Sequence, residues 1–178
     1  MAFISGIGTD NVVMDIFSWS PEAGDCISKW HQIVMRGESP LSVAERELIA
    51  AYTSGLNSCA LCYGVHTMIA ESFGMKDGLL EALVASIDSA DIDEKLKPLL
   101  RFTKKLNFEP TKLVQADADS VFAAGWSEQA LHDTINVVCM FNFMNRHVLG
   151  HGGTEGDISP HFATSAVHLT TQGYFSEW

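Results

Sequence analysis

The chain has 178 residues, of which 47% are apolar and 10% aromatic, so it can build the core of one domain and is not a wholly disordered chain. Its formal net charge of −11 speaks against binding to nucleic acid or anionic membranes, which requires clustered Lys and Arg. No apolar run reaches the roughly 18 residues needed to span a bilayer, and residues 1–10 lack the charged and apolar regions of a signal peptide. We therefore expect a cytoplasmic protein that has neither nucleic acid nor a membrane as a partner.

Apolar residues recur at helical spacing along most of the chain, and the short alternating runs typical of strands are scarce. Ser42 and Glu45 have the spacing of a capping box, which predicts a helix that stops near Gly55. Ser58 is expected to cap the next helix, which ends at Gly74. Further helices are predicted over residues 21–36, 77–87, 93–106, 112–124 and 127–149.

The short connections between these helices predict antiparallel neighbours and therefore an all-α helical bundle. We expect a single domain over residues 1–178, with the principal motif on the helix pair at about 42–74. The tail at about 150–178 shows no clear period. It is expected to be irregular and to wrap over the surface or reach a neighbouring subunit.

The chain contains four cysteines, two of which are close together in the pattern C-x-x-C-x-x-x-H formed by Cys59, Cys62 and His66. In a reducing compartment such cysteines are buried thiols, metal ligands or catalytic groups rather than structural disulfides. On a helix, Cys59 and Cys62 lie about 60° apart and Cys62 and His66 about 40° apart, so all three side chains project from one face. The other two, Cys26 and Cys139, have apolar helical neighbours and are expected to be core thiols.

The residue types in this motif favour redox chemistry. Cys59 is expected in the first turn of its helix, where free N–H groups and the positive helix end favour a thiolate. A C-x-x-C pair at a helix start can close into a disulfide with little rearrangement. We expect the short link to fold Glu47 back towards His66, so that a thiol proton passes through His66 to Glu47 and the thiolate attacks a peroxide oxygen. The second cysteine would condense with the sulfenic acid, and an external dithiol would then restore the enzyme.

The segment ERELIAAYTSGLNSCALCYGVHTMIAESFG closely resembles the central motif of the alkylhydroperoxidase D and carboxymuconolactone decarboxylase superfamily, in particular its peroxidase-related branch. The family motif places a glutamate twelve residues before the first cysteine, and Glu47 and Cys59 have this spacing. The segment FNFMNRHVLG, residues 141–150, resembles the long C-terminal helix of that branch.

The resemblance implies an all-α fold that assembles into a homo-oligomer, commonly a trimer or a hexamer, with peroxidase activity through the two cysteines. By analogy Cys62 attacks and Cys59 resolves, whereas helix position alone favours the reverse order. The best-studied members carry a histidine between the two cysteines, where this chain has Leu61, so proton transfer around Cys59 is less well supported. Carboxymuconolactone decarboxylases proper lack the cysteine pair, so decarboxylase activity is not expected.

We therefore expect a thiol-dependent peroxidase that acts on small organic hydroperoxides or hydrogen peroxide and needs no cofactor or metal. Two alternatives from other classes stay open. One is a thiol–disulfide oxidoreductase or redox sensor that uses the same cysteines without peroxide turnover. The other is a helical oligomeric binding module whose cysteines are structural or bind zinc, although structural zinc usually takes four ligands from separated pairs and the chain has no second C-x-x-C.

Four histidines near the C-terminus, His147, His151, His161 and His168, also suggest a metal site, because the first two are spaced i, i+4. Binding by His147 and His151 would need a continuous helix, which Gly150, Gly152 and Gly153 disfavour. We therefore do not expect these histidines to bind a metal.

Overall fold

The computed structural model describes residues 2–8, 11–153 and 159–174, and every regular element within them is helical, which confirms the all-α class. In chain order the elements are α1 (Val12–Ser18), α2 (Pro21–Arg36), α3 (Val43–Leu56), α4 (Ala60–Ser72), α5 (Leu79–Ala85), α6 (Leu96–Phe108), a 3₁₀ turn (Pro110–Lys112), α7 (Gln115–Ala123), α8 (Glu128–Gly150) and α9 (Ser159–Thr171). None of the helices in these ranges is both long and apolar enough to cross a membrane.

Helix α3 lies at the centre of the fold, because every residue from Arg46 to Ser54 is buried and helices α2, α4, α5, α6 and α8 all pack against it. The predicted capping box fixes its start. Ser42 Oγ accepts from the Glu45 N–H at 3.2 Å, and Glu45 Oε2 accepts from the Ser42 N–H at 2.7 Å. A helix buried on all sides carries its polar side chains into the core, and Glu47 is one of them.

The predicted start of α4 is wrong by one residue. Ser58 does not cap this helix: it has a positive φ of 55°, and Cys59 is the N-cap residue. The Cys59 N–H donates to the Ser54 carbonyl at 3.0 Å, which ties the turn back to the end of α3. Gly55 lies inside α3 rather than ending it. The tight turn at Ser58 therefore places the Cys59 thiol at the N-terminus of α4.

The tail was expected to be irregular, and this is also wrong, because α9 forms within it and packs along α4. Gly64 permits the close approach of the two helices: a Cβ added there would lie 2.1 Å from the Phe162 ring. Beyond α9, Tyr174 is buried, and its N–H donates to Gln32 Oε1 at 2.8 Å. Packing against α4 stabilises a short helix of this kind more than its own pattern of apolar residues does, so that pattern does not predict it.

The two isolated cysteines are not core thiols. Cys26 and Cys139 are both exposed. Helix α2 buries a different face, formed by Gly24, Ser28, His31 and Met35. The apolar residues next to Cys26 and Cys139 in the sequence therefore lie on other faces of these helices. Of the four cysteines, only Cys59 and Cys62 are buried.

We expect Gly64→Ala to destabilise the protein, because the new methyl group overlaps the Phe162 ring between α4 and α9. Overpacking of this kind costs about 1–3 kcal/mol, and each kcal/mol lowers the Tm of a domain this size by roughly 2–4 °C. Thermal unfolding followed by circular dichroism measures the effect. Gly150→Ala is the matched control, because an added Cβ there meets nothing within 4 Å. A Tm equal to or above that of the wild type for Gly64→Ala would show that α9 does not seat on α4 at this glycine.

Candidate active site

The four residues predicted to carry the chemistry lie on α3 and at the start of α4. Glu47 is in the first turns of α3, Cys59 caps α4, and Cys62 and His66 follow within α4. All four side chains are buried: Glu47 and Cys59 are 0% exposed, Cys62 is 5% exposed and His66 is 6% exposed. The structure brings them together as two pairs: Glu47 hydrogen-bonds with His66, and Cys59 lies close to Cys62, whose side chain acts on its pKa.

The Glu47 carboxylate binds three side chains from different parts of the chain. Its Oε2 lies 2.6 Å from His66 Nδ1. Its Oε1 accepts from Arg36 Nη1 at 2.5 Å and from the Tyr174 hydroxyl at 2.9 Å. Burial by itself raises the pKa of Glu47, but His66 and then Arg36 more than offset this effect, so the pKa lies below its ordinary value. Glu47 is therefore an ionised carboxylate inside the core.

This contact fixes the tautomer of His66. An ionised carboxylate only accepts hydrogen bonds, so Nδ1 of His66 carries a proton and Nε2 is the nitrogen left to exchange one. The ring also packs edge-to-face on Phe141, with centroids 4.5 Å apart and planes at 82°. His66 therefore presents a basic nitrogen in a fixed orientation, on the side of the ring away from Glu47.

Sequence reasoning missed Arg36 and Tyr174. Arg36 Nη2 donates to the Leu169 carbonyl at 3.0 Å, and its guanidinium lies 4.9 Å from the centroid of the Tyr174 ring. Burial, followed by the charge of Glu47, raises the pKa of Tyr174 well above its ordinary value, so its phenol is a stable donor. Neither residue belongs to the motif, and Tyr174 lies in the tail that showed no period. In the sequence, Arg36 is recognisable only as a basic residue in the last turn of helix α2, where a positive charge is favourable.

The two cysteines share a hydrogen bond that drives their pKa values apart. The hydrogen bond from the Cys62 side chain lowers the pKa of Cys59, and it outweighs burial, with smaller help from the Cys62 N–H and Asn145. The same hydrogen bond, together with burial and the charge on Cys59, raises the pKa of Cys62 well above its ordinary value. Of the two thiols, Cys59 at the N-terminus of α4 is therefore the one that ionises more readily, in a position where a thiolate is favoured.

Asn145 on α8 is the polar side chain beside the thiols that the sequence did not single out. It is fully buried and lies close enough to both cysteines to lower their pKa values. Its Nδ2 donates to Ser54 Oγ at 3.0 Å, and its Oδ1 accepts from Asn57 Nδ2 at 2.9 Å. The position between the cysteines, Leu61, instead contributes an apolar surface to the neighbouring cavity.

A cavity of about 100 Å³ lies beside Cys62 and His66. Cys59 is not among the residues that line it, so Cys62 is the member of the pair that faces this space. Apolar side chains from four helices form most of the wall, among them Val12, Phe17, Leu61, Val65, Phe141 and Leu169. A pocket with apolar walls and a few convergent polar groups is the usual form of a small-molecule site.

Within the part of the chain that the structure describes, no three His, Cys, Asp or Glu side chains converge in a way that could hold a metal ion. The His147 and His151 rings have centroids 4.9 Å apart but form no such group. The side chain of His161 lies outside the described residues. The zinc alternative therefore gains no support from these residues.

Residues 21–105 match the model of the carboxymuconolactone decarboxylase family, and this segment runs from α2 into α6 and contains Glu47 and the whole thiol motif. This match confirms the resemblance drawn from the motif. No curated protein matches the chain at a significant level.

Several solved structures share the fold. A peroxidase-related protein from Silicibacter sp. TM1040 is 25% identical, with a TM-score of 0.76 over 84% of this chain and 79% of that one. A peroxidase-related protein from Ralstonia eutropha JMP134, described as an alkylhydroperoxidase AhpD core, is 21% identical, with a TM-score of 0.77 over 86% and 80%. A cysteine-to-alanine variant of the debrominase Bmp8 in complex with 2,3,4-tribromopyrrole is 14% identical, with a TM-score of 0.71 over 86% and 81%. At 21% and 14% identity, the second and third structures show only that this chain shares their fold.

We expect the pKa of Cys59 to be higher in Cys62→Ala than in Cys62→Ser, because serine keeps a donor to the Cys59 thiolate and alanine removes it. The thiolate of Cys59 should therefore appear at higher pH in Cys62→Ala. Ultraviolet thiolate absorbance measured across pH checks this, in a background where Cys26 and Cys139 are replaced by serine. Coincident titration curves would contradict the hydrogen bond between the two cysteines.

Proposed function

We propose that this chain is a thiol-dependent peroxidase that reduces small organic hydroperoxides or hydrogen peroxide through Cys59, Cys62, His66 and Glu47. One observation carries the proposal: Cys62 and His66 line the same largely apolar cavity, while His66 Nδ1 is held by the buried Glu47 carboxylate at 2.6 Å. A nucleophile, a base and a group that orients the base are the parts needed to activate a thiol. The match of residues 21–105 to the carboxymuconolactone decarboxylase family model and the similarity to the peroxidase-related protein from Silicibacter sp. TM1040 support the same activity.

In the first step Cys62 attacks the terminal oxygen of the hydroperoxide. The S–O bond forms and the O–O bond breaks. The proton of the Cys62 thiol passes to His66 Nε2, and Glu47 stabilises the imidazolium that results. The imidazolium then protonates the leaving alkoxide, so the products are an alcohol and a sulfenic acid on Cys62.

In the second step Cys59 attacks the sulfur of the Cys62 sulfenic acid. The S–S bond forms and the S–O bond breaks, and hydroxide leaves as water with a proton from solvent. Two thiols and one hydroperoxide thus give a disulfide, an alcohol and water. The lowered pKa of Cys59 suits this role, because the thiolate is the nucleophilic form and a lower pKa makes it easier to form.

An external dithiol returns the pair to the reduced state by two successive thiol–disulfide exchanges. A cytoplasmic location, assembly into a homo-oligomer such as a trimer or a hexamer, and a single domain over residues 1–178 belong to the same proposal. The competing function is a thiol–disulfide oxidoreductase or redox sensor, since the same two cysteines can be oxidised without peroxide turnover.

Thiol trapping with mass spectrometry tests the peroxidase activity. After one equivalent of organic hydroperoxide we expect a Cys59–Cys62 disulfide in the wild type and a sulfenic acid trapped on Cys62 in Cys59→Ser. Cys62→Ser should form no sulfenic acid at Cys59 on the same timescale, because Cys59 is fully buried and does not line the cavity. Repeated, rapid oxidation with a dithiol present separates a peroxidase from a sensor. Sulfenic acid on Cys59 in Cys62→Ser would reverse the order of the two thiols.

We expect Glu47→Gln to slow the oxidation of Cys62 by about 10²–10⁴-fold, the usual contribution of general acid–base catalysis. The neutral amide cannot stabilise the His66 imidazolium. Tyr174→Phe is the matched control, because it removes one hydrogen bond to the same carboxylate but leaves its charge. Its effect should be less than about tenfold, as for one hydrogen bond. Stopped-flow mixing with peroxide measures both rates, and equal losses in the two variants would contradict the relay.

A further inference from the structure

A second histidine, His31 on α2, lines the same cavity as Cys62 and His66 and has no part in the relay. Its Nδ1 lies 3.1 Å from the Ile27 carbonyl, one turn earlier on α2. A carbonyl only accepts hydrogen bonds, so Nδ1 carries the proton and Nε2 is an acceptor. Among the described residues, Nε2 has no hydrogen-bond partner, and it is not a fully enclosed atom.

Two aromatic rings hold the His31 imidazole in place. The Tyr174 ring stacks on it at a centroid distance of 5.2 Å and an interplanar angle of 18°, and Phe141 packs edge-on at 6.0 Å and 89°. Burial lowers the pKa of His31 to about 4, against the opposing effect of the Ile27 carbonyl, so the ring is neutral near pH 7. The cavity therefore contains a rigid, neutral acceptor within largely apolar walls.

We propose that His31 is the substrate-binding acceptor of this site, and that the substrate is a compact apolar hydroperoxide whose terminal O–H donates to His31 Nε2. This inference rests on the proposed peroxidase function. The donated hydrogen stays on the terminal oxygen, which becomes the S–O–H oxygen when Cys62 attacks it. His31 therefore neither takes nor gives a proton, and His66 alone carries the proton of the thiol to the leaving alkoxide.

The size of the cavity limits the apolar part of the substrate. A dry apolar cavity of about 150 Å³ holds one benzene molecule, and the cavity beside Cys62 measures about 100 Å³. The apolar group of the substrate is therefore limited to a few carbon atoms. Tert-butyl hydroperoxide is therefore the probe of choice.

Ser28 provides the matched control for His31. It lies nearly one turn earlier on α2, is buried, and lines the same cavity. Its hydroxyl can also accept a hydrogen bond, but it rotates and is a donor as well. If Ser28 were the acceptor, Ser28→Ala would show the losses that we expect from His31→Phe.

The kinetic experiment measures the second-order rate of Cys62 oxidation by tert-butyl hydroperoxide. We expect His31→Phe, which keeps an aromatic ring against Tyr174, to lower this rate about 3- to 10-fold, as for one lost hydrogen bond. His31→Gln restores an acceptor and should recover part of the rate, whereas Ser28→Ala should lose less of the rate than His31→Phe. Methyl methanethiosulfonate has no O–H or N–H group and should modify Cys62 equally in all four proteins. A loss with this reagent as well would show that His31 acts only on the shape of the site, which would overturn the inference.

A binding experiment separates this inference from the peroxidase reaction. Nuclear magnetic resonance titrations of the reduced protein with tert-butanol should give an affinity about 3- to 10-fold higher for the wild type than for His31→Phe. Tert-butyl methyl ether, which lacks the O–H group, should not distinguish them. If peroxide fails to oxidise the wild type and tert-butanol still shows this difference, the peroxidase proposal is wrong and the acceptor stands. Equal tert-butanol affinities in the two proteins overturn the His31 inference whatever the peroxide does.

Discussion

The arrangement of this molecule depends on one buried charge, the Glu47 carboxylate. An ion removed from water is tolerated only when partners replace its hydration, and breaking a buried ion pair typically costs about 3–5 kcal/mol, a large share of the roughly 5–15 kcal/mol that stabilises a domain. Glu47 meets this requirement through Arg36, His66 and Tyr174. These residues come from the end of α2, from α4 and from the segment after α9. The carboxylate therefore organises the packing of these segments and orients the imidazole beside Cys62 at the same time.

The parts of the site that the sequence made predictable are those set by local geometry. The Ser42 capping box, the helical spacing of Cys62 and His66, and the short link that returns Glu47 to α4 are rules of one or two helical turns, and the structure contains all three. Tyr174 could not be predicted in the same way, because it reaches Glu47 from 127 residues away and belongs to no periodic segment. The one-residue error at the start of α4 has a different cause. Ser58 is a good cap by residue type, but the backbone turns at that position with a positive φ, and the cap passes to Cys59.

Two physical criteria for the attacking cysteine disagree at this site. Ease of ionisation favours Cys59, whose pKa is lowered by the Cys62 side chain, whereas access to the cavity favours Cys62. Access has to decide the first step, since a thiolate that cannot meet the peroxide does not react with it. The relay through His66 requires that Cys62 still carries its thiol proton. A base accelerates a reaction only if the reaction includes the transfer of a proton. Cys59, with its lowered pKa, is suited to the second step, which needs a nucleophile within reach of Cys62 and no access to the cavity.

Tyr174 links the two halves of the site. Its hydroxyl binds the carboxylate that orients His66, and its ring stacks on His31 in the wall of the cavity. One side chain thus fixes the orientation of the group that handles the proton and of the group that we infer to bind the hydroperoxide. Since Tyr174 follows α9 in the chain, its contacts with Glu47 and His31 form only when α9 is seated on α4, where Gly64 admits the Phe162 ring. The docking of the C-terminal segment therefore completes the packing around both imidazoles, although that segment contains no residue of the thiol motif.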